Sequence, residues 1–181
     1  MSSAIVDSSP AIIITQFQHI ASHFPLVLGV KILYYMRMNM RDAIISITGI
    51  QNDANGEQDS VELVTAGQYG FENGEGRLTY EESELTGLDG TRTTFTISPM
   101  GVVLRREGSL NSEMVFQQGR KNYFLYETPF GSATMGVDTR RIDTSLGEHG
   151  GSLELDYNID FNHTPMGRNK FRINVKENNH G

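Results

Sequence analysis

From residue 42 onward the chain alternates apolar and polar residues with a period of two, and Gly-centred turns interrupt the pattern about every ten residues. The clearest run sets Leu153, Leu155, Tyr157, Ile159 and Phe161 against Glu154, Asp156, Asn158 and Asp160. Successive side chains of a strand point to opposite faces, so one face of this segment must be buried and the other wet. Phe171, Ile173 and Val175 repeat the pattern against Arg172, Asn174 and Lys176. Leu110, Met114 and Phe116 do so against Asn111, Glu113 and Gln117, and Thr93, Phe95 and Ile97 against Arg92, Thr94 and Thr96. No helical stripe of comparable strength follows residue 40.

The turn signals are Asn55-Gly56, Asn73-Gly74, Asp89-Gly90, Pro99-Met100-Gly101, Glu107-Gly108, Gln118-Gly119, Pro129-Phe130-Gly131, Gly147 to Gly151 and Pro165-Met166-Gly167. Asn-Gly and Asp-Gly carry most weight, because both residues tolerate the positive φ of two-residue hairpin turns. Nine turns predict about ten strands. Sequential strands with short connections form an antiparallel up-and-down meander, and closing it into a barrel of about 8–10 strands removes the exposed edges. Between Ser132 and Leu146 the apolar phase switches from Ala133, Met135 and Val137 to Ile142 and Leu146. Such a switch predicts a bulge near Gly136–Thr139.

With 181 residues, one domain is the default. Residues 41–178 are expected to form it. Residues 1–40 differ in texture: their strongly apolar part after Pro25 runs for about ten residues, against about 20 for a bilayer-spanning helix. Met36, Met38 and Met40 immediately precede the first strand pattern. The expectation is an extension that arises from a start codon set too early, or a disordered segment.

No cysteine is present, which removes disulfides and thiolate metal sites and points to a reducing, cytoplasmic setting. The net charge is −7 and basic residues are scattered. A nucleic-acid binder needs a basic stripe to neutralise phosphates, so none is expected as a partner, and neither is a membrane.

The run Gly49-Ile50-Gln51, then Val61 to Thr65, then Tyr80 to Thr91 resembles the YwiB-like family of small bacterial proteins. So do Asn111 to Phe116, Tyr126 to Gly131 and Leu146 to Gly151, in uninterrupted order over about residues 41–177. The resemblance implies a calycin-like (lipocalin-like) β-barrel in a bacterial cytoplasm and a domain of unknown function, so no catalytic residues carry over. It also implies a chain beginning close to Met40.

The candidate site residues are Tyr80, Glu82, Glu84, Arg106, Ser112 and Met114, as ligand contacts. In a strand Tyr80, Glu82 and Glu84 share one face, with the two carboxylates about 7 Å apart, suited to a cation or to acid–base work. The competing reading is a solvated strand end. Arg106 falls in phase with Val102 and Leu104 and is expected to point inward, where a buried cation needs an anion from Glu82, Glu84 or Glu127. Ser112 is the polar member of the inward row with Leu110, Met114 and Phe116. A hydroxyl bonded to a neighbouring carbonyl is the commoner arrangement there. No Gly-x-Ser-x-Gly elbow, phosphate cradle or metal-ligand His spacing occurs, so no cofactor, metal site or catalytic residue is expected.

The leading functional expectation is a non-catalytic binder of a small, partly apolar molecule. The alternatives are a packed barrel serving as a structural or protein-interaction module, and a carboxylate–arginine enzyme in the barrel mouth. A homodimer is compatible with any of these.

Overall fold

The computed structural model describes residues 38–53, 57–128 and 131–178. The expected turns at Asn55-Gly56 and Pro129-Phe130, and positions 1–37 of the extension, lie outside the described residues. The described residues form ten strands: β1 (Arg41–Asp53), β2 (Gln58–Glu72), β3 (Glu75–Glu81), β4 (Thr91–Ser98), β5 (Gly101–Gly108), β6 (Ser112–Phe116), β7 (Arg120–Thr128), β8 (Gly131–Thr144), β9 (Gly150–Phe161) and β10 (Thr164–Glu177). One 3-10 turn, Glu84–Thr86, lies between β3 and β4.

All ladders are antiparallel, and the sheet order is β6-β5-β4-β3-β2-β1-β10-β9-β8-β7. The first and last strands therefore pair, from Ala43 opposite Glu177 to Asp53 opposite Gly167. This is the expected meander wrapped into a nearly closed, calycin-like barrel. The seam falls between β6 and β7, which are consecutive in sequence. Side chains tie it there: Asn122 Nδ2 donates to the Val115 carbonyl at 3.1 Å, and Gln118 Oε1 accepts from the Ile142 N–H at 3.1 Å.

Alternation places Ala43, Ile45 and Ile47, Leu78, Phe95 and Ile97, Val102 and Leu104, Phe116, Val137, Leu153 and Leu155, and Ile173 and Val175 in the interior, all buried. Each of the Val, Leu, Ile and Phe side chains among them contributes about 1.5–3 kcal/mol by leaving water. Aromatic rings meet across the lumen. Phe95 of β4 stacks on Phe171 of β10 with centroids 5.8 Å apart, although three strands separate them around the wall. Phe116 of β6 meets the Tyr157 ring of β9 edge-on at 5.0 Å. At this depth the barrel is filled by its own side chains.

Two local expectations are corrected. Pro165-Met166-Gly167 is not a turn but a register shift inside β10, between Pro165 and Gly167. The turn is Asn162-His163, with φ of 47° and 67°, the two left-handed residues that a tight hairpin requires. Proline, which cannot donate to a ladder, sits where the ladder is already broken. The bulge in β8 lies between Thr139 and Arg141, just beyond the expected Gly136–Thr139 window. The inward phase persists through Thr139, a fully buried polar residue, before it switches to Ile142.

Candidate functional site

Four of the interior positions line up across four strands. Tyr80 of β3 is opposite Thr93 of β4, Thr93 is opposite Arg106 of β5, and Arg106 is opposite Ser112 of β6. Met114 is one inward step away, opposite Leu104, and buried. Glu82 follows the end of β3, but its N–H still donates to the Thr91 carbonyl at 2.8 Å, which prolongs the pairing and keeps its side chain inward. The structure thus brings together Tyr80, Glu82, Arg106, Ser112 and Met114.

Glu84 is the exception. The strand stops at Glu81, the chain turns through Glu84–Thr86, and Gly87 closes the turn in the left-handed conformation at φ 71°. Glu84 is exposed there, so the expected face shared by Glu82 and Glu84 does not form, and neither does a carboxylate pair. The Glu127 side chain lies outside the described set. His149 and His163 are turn residues. His149 Nδ1 is 3.3 Å from Glu177 and the His163 ring lies against Tyr123. Among the described residues no group of three His, Asp or Glu side chains can hold a metal ion.

The cluster has an uneven electrostatic build. Thr93 Oγ1 donates to Glu82 Oε1 at 2.5 Å, and Arg106 Nε lies 3.8 Å from the same oxygen, an ion pair without a hydrogen bond. The Glu82 side chain is 2% exposed and that of Arg106 22%. Arg106 Nε and Ser112 Oγ are buried and have no hydrogen-bond partner. Ser112 therefore does not follow the commoner arrangement of bonding to a carbonyl, because the facing position on β5 is occupied by a donor-only guanidinium. Burial, and next the Glu82 carboxylate, push the Tyr80 phenol up, and the Arg106 charge partly offsets this. Burial also raises the Tyr157 phenol, again opposed by Arg106.

Tyr157, whose ring meets Phe116 of β6, also lines a cavity of about 140 Å³ at one barrel mouth. Gly49 and Gln51 of β1, Val61 of β2, Tyr157 of β9, and Asn169 and Phe171 of β10 line it. Gly49 leaves the space: a Cβ there would meet only Phe171 Cδ2, at 3.9 Å. These lining residues were not among the sequence candidates. Their signal was present in the inward rows, since Tyr157 and Phe171 belong to the two cleanest alternating runs.

No curated protein matches the chain. Among solved structures it is similar to the ywiB protein from Bacillus subtilis, with a TM-score of 0.69 at 20% identity, covering 80% of this chain and 98% of that one. This likeness bears on the fold. No helix among the described residues is long and apolar enough to cross a membrane. The family model described as Domain of unknown function (DUF1934) matches residues 45–173, nearly the whole barrel. The chain belongs to this DUF1934 family, as a YwiB-like β-barrel protein.

Proposed function

We propose that the barrel is a non-catalytic binder of a small, partly apolar molecule, held at the mouth where β1, β2, β9 and β10 meet. The cavity carries this reading. Its 140 Å³ is close to the roughly 150 Å³ that accepts a benzene ring, and its wall mixes Val61, Tyr157 and Phe171 with the polar Gln51 and Asn169 and the charged Asp59 and Lys170. The aromatic contacts below it restrict the ligand to the mouth. The cysteine-free composition is in keeping with a cytoplasmic role.

A second reading, a packed barrel acting through its surface, draws on the Phe95–Phe171 contact that fills the lumen. The carboxylate–arginine enzyme reading draws on the approach of Arg106 Nε to Glu82 Oε1 at 3.8 Å, but that oxygen already accepts from Thr93 and the other candidate carboxylate, Glu84, is exposed in the turn.

Native mass spectrometry of the full chain purified from its own source cells, before and after denaturation, tests the proposal. Gly49→Leu is the control, because φ at Gly49 lies outside the left-handed region and the new side chain enters the cavity. A small adduct released by denaturation and missing from Gly49→Leu is the expected result. A bare native mass for both proteins overturns the binding reading in favour of the packed barrel.

A further inference from the structure

Arg106 and Ser112 face each other directly across the β5–β6 ladder, with their side chains on the same inner face. Cβ atoms of such opposed residues lie about 4.5–5.5 Å apart, so one small group can touch both. Each has a buried polar atom without a hydrogen-bond partner, Nε of Arg106 and Oγ of Ser112, and Ser112 is 9% exposed. Buried polar groups are nearly always paired, and two orphans side by side call for one acceptor that reaches both.

Burial decides the sign of that acceptor. Of the Glu82–Arg106 pair, the carboxylate is sealed in at 2% exposure and capped by Thr93, whereas 22% of the arginine side chain remains accessible. What the pair presents outward is its cation. The charge is already partly balanced by Glu82, which suits a single negative charge better than a multiply charged phosphate. The planar guanidinium fork suits a planar acceptor.

We infer that the ligand of the mouth is a small monocarboxylate, its carboxylate turned inward to Arg106 and Ser112 and its apolar body against Phe171 and Val61. This rests on the mouth being a binding site. Arg106 and Ser112 lie beyond the cavity wall, and Tyr157 joins the two places: it lines the cavity and meets Phe116, on the same strand as Ser112, edge-on at 5.0 Å.

The test is a titration of the isotope-labelled full chain with benzoate and with its neutral counterpart benzamide, and likewise with hexanoate and hexanamide, following the amides of Gly49, Ser112, Tyr157 and Phe171 by NMR. A charge-assisted hydrogen bond predicts that each carboxylate binds at least about tenfold more tightly than its amide. The double variant Glu82→Gln/Arg106→Gln removes both charges without stranding either one, and should erase that preference. Arg106→Lys, which keeps the charge but loses the fork, should retain part of it. Equal binding of acid and amide, or a preference that survives the double variant, overturns the inference while the mouth stands as a site. If none of the four probes moves these amides, the mouth reading fails and the inference fails with it.

Discussion

Removing either member of the Glu82–Arg106 pair should have unequal consequences, and the inequality follows from their burial. In Arg106→Met the Glu82 carboxylate stays at a position where its side chain is 2% exposed, with the Thr93 hydroxyl as its described hydrogen bond. Breaking a buried pair from one side costs about 3–5 kcal/mol, most of it from the stranded charge. The 3.8 Å separation without a hydrogen bond places this case at the lower end, about 3 kcal/mol. In Glu82→Gln the amide oxygen still accepts from Thr93, and the guanidinium left behind is 22% exposed, so water reaches it. That loss should be about 1 kcal/mol. Combining Glu82→Gln with Arg106→Met strands no charge, so the double variant should be more stable than Arg106→Met alone. Urea unfolding at pH 7 of the four proteins measures the cycle directly. If Arg106→Met costs no more than Glu82→Gln, Glu82 does not depend on Arg106, and the electrostatic account of the cluster is wrong.

Glycine substitutions should separate crowding from open space. A Cβ on Gly67 would lie 2.4 Å from Ile45 Cδ1 and 2.5 Å from the Thr79 carbonyl oxygen, so Gly67→Ala should lose about 1–3 kcal/mol. Gly49→Ala should be neutral or gain up to about 1 kcal/mol, as thermal unfolding would show. Arg168 donates to both carboxylate oxygens of buried Asp156, and this hydrogen bonding holds the acid below its ordinary value. A depressed folded-state value means stabilisation that is present above the unfolded pKa of about 3.9 and lost as pH falls through the folded one. The advantage of the natural chain over Arg168→Met should therefore be flat from pH 7 to about 5 and shrink at more acid pH in urea titrations. Burial pushes the Tyr69 phenol up to about 12, above its unfolded value, so its contribution to stability is intact below about pH 10 and declines from there toward 12. Tyr69→Phe, which cannot ionise, should flatten the loss of stability in that window.

The alternation made Arg106 legible, because Val102 and Leu104 set its phase without interruption and only a bulge could have reversed it. Ser112 and Met114 were readable on the same grounds. Glu84 was misplaced because the alternation does not say where a strand ends. The stop depends on Gly87 adopting a left-handed conformation just ahead of the Asp89-Gly90 turn signal, and Glu84 follows the competing reading of a solvated strand end. At Asn162-His163 the local signals competed. The pair contains no glycine, and the stronger turn chemistry of Pro165-Met166-Gly167 drew the prediction three residues too far. The mouth cavity was hidden for a different reason. It exists because Gly49 falls beside Phe171 and Val61, a register between β1, β10 and β2 that no local window contains.

The pairing of β1 with β10 also has a consequence for the order in which the chain is made. During synthesis β2 can join β1 at once, but the other edge of β1, beside the inner face that carries Ala43, Ile45 and Ile47, has to wait for the last strand. At ordinary elongation rates of about 5–20 residues per second, the interval is on the order of ten seconds. A row of unpaired backbone groups beside an apolar face is a template for any passing strand. The strand held from both sides in the finished barrel is the one left half-paired longest on the ribosome, and its edge is where a nascent chain would first meet a chaperone or a neighbour.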